Sequence, residues 1–430
     1  MKRCLLVTFY FPPFEGIASL RPGKFAKFLP DYGWEPLVLT VDEIPGLRKT
    51  LPVEMKCGKI FRTGWFDVFS PFKKTLTGSS EGSVEKSVKS NIVRKFVKLF
   101  KSPFEAGFVR LPDRTFFWIF PAVRKGIEII KNEKPDVIIS CGGPVSSHII
   151  AYVLSKKSGI PWIADYRDLW SNNYFFKRNL VIDSIERGIE KFFMKRVSAI
   201  TTVAEELAEY LRMIHRKDVY VITNGFDDED YEFEVEKKDE KFHIVYTGNI
   251  YPGKRDMDFF FRALKESIKD TKISPQELSV DFYSYIYGKI PELIEKFDLR
   301  EFVKLHPFLP HEECRKVQKS ADVLLILDSP EESMKGVATG KIFEYLAAGR
   351  PILAVAPKGG AVERILRETN AGILLDNEED LKDFFKKIIT LKEKAFPFVP
   401  DREKIKKYSR RSQTAKMAEL LEKIYSRMTT

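Results

Sequence analysis

The sequence has few cysteines and no long uncharged apolar run. Its four cysteines, Cys4, Cys57, Cys141 and Cys314, lack the spacing of a zinc site or of a small disulfide-bonded domain. A reducing, cytoplasmic environment is therefore expected. No stretch reaches the roughly 18 apolar residues that a membrane-spanning helix needs. Any membrane contact should be peripheral, at the inner face of the membrane.

The sequence also lacks internal repeats and any recognisable nucleic-acid-binding module. It carries 72 Lys and Arg against 61 Asp and Glu, a net charge of +11. Such an excess favours a phosphate-bearing partner, which could be a nucleotide, a nucleic acid or an anionic membrane. Because no basic stripe with interleaved aromatics is present, nucleic-acid binding is not expected.

What the chain does have is an alternation of apolar, strand-like runs with amphipathic helical stretches. This alternation is typical of parallel-sheet α/β domains, and 430 residues are enough for two of them. A charged stretch without periodicity, 227–241, separates the two series. We therefore predict an N-terminal domain at 1–226, a linker at 227–241, a C-terminal domain at 242–400 and a C-terminal helical element at 401–430.

Ligands of parallel α/β sheets bind beyond the carboxyl ends of the strands, so the loops there are the candidate sites. Gly16 follows the first predicted strand and could let the backbone approach a ligand. Asp165, Arg167 and Asp168 follow another strand. They could form a functional cluster, or simply an Asp–Arg ion pair with Asp168 capping a helix. His148 could be catalytic or a buried helix residue.

In the second half, Lys254 and Arg255 lie near a predicted helix start, where their charges would add to amides suited to phosphate. A second helix should begin after Thr339 as N-cap, leaving the amides of Gly340 and Lys341 free for an anion. Glu344, one turn further on, could accept hydrogen bonds from a diol. This combination fits a ribose diphosphate.

Several of these stretches together resemble a family 4 retaining glycosyltransferase of the GT-B type, in a branch associated with cell-surface polysaccharide synthesis. The stretches are FPPFEG near the start, IPWIADYRDLW, VITNGFD, YTGNIYPGKRD, SADVLLIL and KIFEYLAAGRPILAV. The resemblance implies two Rossmann-like domains with parallel sheets facing a cleft, and a C-terminal helix that crosses back to the first domain. It also implies an NDP-sugar donor, held mostly by the second domain, and neither metal nor other cofactor.

Site residues carried over from the resemblance concentrate on the donor. Glu344 corresponds to the glutamate that binds the ribose, Lys254 to the lysine on the diphosphate, and Gly16 to the glycine that faces the donor. Two positions depart from the family pattern: Gly336 stands where a second glutamate contacts the donor sugar, and Asn249 where an arginine accompanies the lysine.

The implied mechanism assigns further residues to both substrates. Arg255 and the helix amides at Thr339–Lys341 would share the diphosphate charge with Lys254. Asp168 is the leading candidate to position or deprotonate the acceptor hydroxyl, with Asp165 behind it. Arg167 and His148 are predicted on the acceptor side.

The acceptor is predicted from a basic amphipathic stretch, 86–110, which holds seven Lys and Arg against one acid, Glu105. It could bind an anionic membrane surface or pack on its own domain. The apolar run FFWIF at 116–120 favours the membrane. We therefore expect a hexosyltransferase that moves a sugar, with retention, to a glycan or lipid-linked acceptor. A GT-B-fold NDP-sugar epimerase and a non-catalytic nucleotide-binding protein are the alternatives.

Overall fold

Each half of the chain builds a parallel sheet, as the alternation of apolar runs and helices predicts. The computed structural model describes residues 1–66, 113–172, 180–236, 239–250, 257–328, 335–391 and 398–429. The chain divides into two units: the first comprises Met1–Val203, Leu207–Ile222 and Thr414–Thr430, and the second comprises Ala204–Glu206 and Thr223–Gln413. The predicted α/β class, with two parallel sheets, is confirmed.

The sheet of the first unit has the strand order β3-β2-β1-β4-β5-β6-β7, and all its neighbours pair in parallel. Its described strands are β1 (Lys2–Val7), β2 (Trp34–Val41), β3 (Lys59–Thr63), β4 (Val137–Cys141), β5 (Trp162–Tyr166), β6 (Ala199–Thr202) and β7 (Val219–Val221). Strand β3 is not marked by an apolar run in the sequence. It is an edge strand with no fully buried residue, unlike the central strands of the sheet.

Helices cover both faces of this sheet and bury one apolar cluster on each. They are α1 (Ile17–Phe28), α2 (Ile119–Glu133), α3 (Ser146–Ser158), α4 (Leu180–Met194), α5 (Glu205–His215) and, at the far end of the chain, α13 (Arg410–Thr429). One cluster includes Trp118, Ile150 and Leu211. The other joins Leu6 of β1 to Leu421 of α13. The last helix therefore supplies part of the first unit's core.

The sheet of the second unit has the strand order β10-β9-β8-β11-β12-β13, again parallel throughout. Its described strands are β8 (Phe242–Thr247), β9 (Leu278–Tyr283), β10 (Val303–His306), β11 (Val323–Leu327), β12 (Ile352–Val355) and β13 (Gly372–Leu374). Its described helices are α6 (Asp258–Thr271), α7 (Ile290–Lys296), α8 (His311–Ser320), α9 (Gly340–Ala348), α10 (Ala361–Thr369), α11 (Glu378–Leu391) and α12 (Arg402–Lys406). The predicted single helical tail is thus two helices.

A buried ion pair joins α1 to the middle of the first sheet. Arg21 donates from Nε to Oδ2 of Asp165 at 2.8 Å and from Nη2 to Oδ1 at 2.7 Å, and both side chains are under 5% exposed. Thr201 of β6 donates to the same carboxylate at 2.7 Å. Burial acts to raise the pKa of Asp165, but the charge and hydrogen bonds of Arg21 outweigh it and keep the pKa low.

No helix in the described ranges combines the length and apolarity needed to cross a bilayer.

Replacing Asp165 by Asn should strongly destabilise the first unit, because it leaves the Arg21 charge buried without its partner. Breaking a buried pair in this way costs about 3–5 kcal/mol. Glu43→Gln is the matched control, since it removes one partner of an exposed pair with Lys49 and should cost at most about 1 kcal/mol. Urea unfolding of both variants measures the difference. Equal losses would show that the buried pair is not a principal stabiliser.

Candidate functional site

A lysine lies at the carboxyl edge of the second sheet, where β8 meets the start of α9. The stem of Lys341 packs on Gly248, so closely that a Cβ on this glycine would lie 2.5 Å from Lys341 Cε. The ammonium sits 5.2 Å from the ring centroid of Tyr246. Among the described residues, no carboxylate lies within ion-pair distance of Lys341. Its charge is therefore available to an anion at the sheet edge.

The first turn of α9 adds backbone amides to this charge. Thr339 is the N-cap residue and the helix begins at Gly340, as predicted, but the Thr339 side chain makes no capping hydrogen bond. Free first-turn amides and the positive end of the helix dipole favour an anion. Together with the Lys341 ammonium they are chemically suited to phosphate groups.

Glu344 follows one turn later and is partly open to solvent. Its side chain is 32% exposed, and Oε1 lies 3.9 Å from Nε2 of His311. Oε2 accepts a hydrogen bond from Nε2 of Gln318 at 3.3 Å. Burial acts to raise the pKa of Glu344, but interactions with His311, Gln318 and Lys341 outweigh it, so the pKa falls below its ordinary value. The carboxylate is thus ionised at neutral pH and can only accept hydrogen bonds.

Asn249 organises the neighbouring loop with its side chain. Its Oδ1 accepts hydrogen bonds from Tyr285 N and Ser284 Oγ, both at 3.2 Å. The Tyr285 ring stacks on Phe308, with centroids 4.2 Å apart and planes 9° from parallel. Both rings are exposed, at 64% and 46%. Sequence reasoning missed this aromatic pair, although each ring closely follows a strand end, which is the position that could have revealed it.

Lys254 and Arg255 lie outside the described residues, and so does the basic stretch 86–110. Their predicted roles stay predictions. Gly336, where a glutamate was expected, is buried.

A second group of side chains lies at the carboxyl edge of the first sheet, beyond β4 and β5. Arg167 Nε donates to Asp168 Oδ2 at 3.0 Å, and the side chains are 24% and 28% exposed. A Cβ on Gly143 would lie 2.9 Å from Arg167 Nη2 and 3.9 Å from Asp168 Oδ2. The glycine turn after β4 therefore leaves room for the pair. Of the two alternatives from the sequence, the ion pair is present, and it remains open to solvent.

The remaining predicted residues differ in how accessible they are. Gly16, at φ 112°, precedes α1 and is exposed, with no atom within 4 Å of a would-be Cβ. His148 is 2% exposed, and its Nδ1 lies 2.7 Å from Ser140 Oγ. Burial lowers the pKa of His148 to about 4, so the ring is neutral. His148 is therefore a buried helix residue, the second of its two alternatives, and the ion pair of Asp165 with Arg21 favours a structural role. The predicted contacts of both residues with substrate stay predictions.

Two family models match the chain in succession. Residues 99–230 match Glycosyltransferase Family 4, and residues 241–394 match Glycosyl transferases group 1. Each half of the chain thus matches a glycosyltransferase family model. The retaining mechanism and the polysaccharide branch stay predictions.

Solved GT-B structures resemble the chain over nearly its whole length. Sucrose-phosphate synthase from Thermosynechococcus elongatus is 14% identical, with 99% of this chain and 100% of that chain covered, at a TM-score of 0.62. HepE from Anabaena, in complex with UDP-glucose, is 15% identical, with 98% of this chain and 100% of that chain covered, at a TM-score of 0.58. A Listeria monocytogenes structure described as a UDP-N-acetylglucosamine 2-epimerase is 11% identical, with 97% of this chain and 95% of that chain covered, at a TM-score of 0.53. At these identities the likeness shows the fold alone, and it confirms the predicted GT-B class. No curated protein sequence matches the chain.

Replacing Gly248 by Ala should weaken nucleotide binding, because the new methyl group would displace Lys341. We expect the Kd for the nucleoside diphosphate that binds the wild type to rise about tenfold or more, which corresponds to about 1.4 kcal/mol. Calorimetric titration with UDP, GDP, ADP and dTDP measures it. The matched control is Gly349→Ala, which also places Ala at positive φ but meets no atom within 4 Å. Equal affinities for both variants would contradict a role for Lys341.

Proposed function

We propose that the protein transfers a sugar from a nucleoside diphosphate sugar to an acceptor hydroxyl, with retention of the anomeric configuration. The observation that carries this proposal is the arrangement on α9. A helix start with the Lys341 ammonium precedes the Glu344 carboxylate by about one turn, or roughly 5.4 Å of rise. The diphosphate would bind at the helix start, and Glu344 would accept hydrogen bonds from the ribose diol.

The main demand of the reaction is electrostatic. When the bond between the sugar's anomeric carbon and the diphosphate breaks, negative charge grows on the leaving diphosphate and the sugar becomes oxocarbenium-like. Lys341 and the amides of Gly340 and Lys341 would stabilise that charge, with Lys254 and Arg255 predicted to add to it. HepE, which shares the fold, was solved with UDP-glucose. This supports a nucleotide-sugar donor.

The acceptor hydroxyl is assigned to the edge of the first sheet. Asp168 would accept its proton or orient it while the new glycosidic bond forms on the face from which the diphosphate leaves. Arg167 holds this carboxylate through one oxygen, so the other can face a substrate. Asp165, engaged by Arg21, would act only by anchoring β5 beneath the loop.

An epimerase is the closest alternative, because the Listeria epimerase structure shares the fold. A non-catalytic nucleotide-binding protein is another, since Gly336 replaces the expected glutamate. Both family models that match the chain are glycosyltransferase models, which favours transfer. Release of the nucleoside diphosphate only when an acceptor is present would separate transfer from epimerisation, and a protein that binds nucleotide without turnover would be non-catalytic.

A lipid-linked acceptor is favoured by an aromatic cluster beside the acceptor edge. Asp113 binds the start of α3, with its Oδ2 accepting from Ser146 N at 2.9 Å. Phe116, Phe117 and Phe120 follow and contact one another, and the last two are 44% and 64% exposed. Exposed aromatic rings of this kind suit a bilayer interface. We propose cell-surface polysaccharide or glycolipid synthesis at the membrane surface.

Donor and acceptor roles can be separated with two variants. Glu344→Ala should raise the Kd of the nucleoside diphosphate about tenfold or more, since the ribose loses its acceptor. Asp168→Asn should leave that Kd unchanged and lower kcat about 10²- to 10⁴-fold. Glu266→Ala, on α6, is the control for Glu344, because its carboxylate pairs with Lys382 and should affect neither quantity. Unchanged nucleotide affinity in Glu344→Ala would defeat the donor-site assignment.

Membrane association can be tested by sedimentation with vesicles of phosphatidylcholine, with and without phosphatidylglycerol. The wild type should sediment with anionic vesicles at low salt. The double variant Phe117→Ser/Phe120→Ser should bind these vesicles about 100-fold more weakly or worse, since burial of each ring contributes about 1.5–3 kcal/mol. Met213→Ser, which removes a different exposed apolar side chain from the first unit, is the control. If the wild type stays in the supernatant, membrane association is ruled out.

A further inference from the structure

A buried amide lies directly behind the proposed ribose ligand. Gln318, on α8, is completely buried. Its Nε2 lies 3.3 Å from Glu344 Oε2 and 3.0 Å from Thr247 Oγ1. On the opposite side, its Oε1 accepts a hydrogen bond from the Tyr231 hydroxyl at 2.8 Å. Gln318 is thus a bridge between Tyr231 and the Glu344 carboxylate.

The orientation of this amide follows from the charge of Glu344. An ionised carboxylate has no proton to donate, so the donor end of Gln318 must face it. The Oε1 end then needs a donor, and the Tyr231 hydroxyl is the group that donates to it. Removing that hydroxyl would leave Oε1 buried without a partner, which is costly in a site that excludes water. Tyr231 therefore fixes the amide, and the amide fixes Oε2.

Tyr231 belongs to the segment by which the chain enters the second unit. The segment forms a short turn, Asp228–Tyr231, soon after the unit begins at Thr223. It is fastened to α8: Lys319 Nζ donates to the Tyr231 carbonyl at 3.0 Å, and Arg315 forms an ion pair with Asp230. The hydroxyl thus has a fixed base from which to hold Gln318.

We propose that Tyr231 and Gln318 are positioning residues for the nucleotide sugar: they hold Glu344 by Oε2 so that Oε1 is left for the ribose. This inference rests on the proposed role of Glu344. It makes donor affinity depend on a side chain that lies far from α9 in the sequence and touches no substrate. Since the bridge meets the donor only through Glu344, acceptor affinity and turnover at saturating donor should not depend on it.

Tyr231→Phe tests the inference, because it removes only the hydroxyl. The Kd for the nucleoside diphosphate that binds the wild type, and the donor KM, should both rise about five- to tenfold. kcat at saturating donor and acceptor KM should stay unchanged, a split that a merely structural residue would not produce. Tyr408→Phe is the matched control: Tyr408 is equally buried and donates to Glu368 Oε2 at 2.6 Å in the same unit. The Tyr408→Phe variant should lose stability without losing affinity for the nucleoside diphosphate.

A double-mutant cycle shows whether Tyr231 acts through Glu344. In a Glu344→Ala background, Tyr231→Phe should cause no further loss of nucleotide affinity, because the group that it positions is gone. Gln318→Met, which keeps the volume but removes the amide, should give the same loss and the same non-additivity. Gln318→Met therefore tests the same bridge independently if Tyr231→Phe folds poorly.

The possible failures are distinguishable. If Glu344→Ala binds the nucleotide like the wild type, the proposed donor site itself is wrong. If Glu344→Ala weakens binding but Tyr231→Phe and Gln318→Met do not, or their effects add to it fully, the donor site stands and the positioning role is wrong.

Discussion

Arg21 and Asp165 carry opposite charges where almost no water reaches them, and the first unit is arranged around that pair. Arg21 lies on α1, Asp165 on β5, and the same guanidinium donates to the carbonyl of Ile222, the last residue before the chain passes into the second unit. Each charge is tolerated only because the other is in place. The pair therefore fixes α1, with Gly16 before it, relative to β5, with Asp168 after it.

The second unit keeps the charges of its candidate site in place differently. In its candidate site the ionised carboxylate of Glu344 lies about one turn from Lys341, whose ammonium forms no ion pair with any carboxylate in the described part of the chain. The Gln318 amide and the His311 ring lie beside Glu344, whereas the stem of Lys341 packs on Gly248. Both charges thereby stay available to a ligand that carries phosphates and hydroxyls together.

The sequence allowed the parallel sheets and the limits of α9 to be predicted, because apolar periodicity, Thr339 and Gly349 are local signals. The ion pair of Asp165 with Arg21 could not be predicted from the sequence, since the two residues are distant along the chain and no local pattern joins them. The same holds for Tyr231, in a charged stretch read as a linker, and for Gln318, in a polar helix. A position defined by one contact across the fold leaves no signal in the periodicity of the sequence. The burial of Asp165 therefore emerged only from the structure, and so did the choice between the two alternatives for His148.

Helix α13 has a consequence for how the protein is made. Its Met417 and Leu421 complete the cluster that begins with Cys4 and Leu6. Those strands leave the ribosome long before that helix, so the part of this face that α13 covers stays open while the second unit is synthesised. Contacts of such sequence separation are slow to form. The early strands must therefore wait with apolar surface exposed, a state in which chaperones bind nascent chains and aggregation competes with folding.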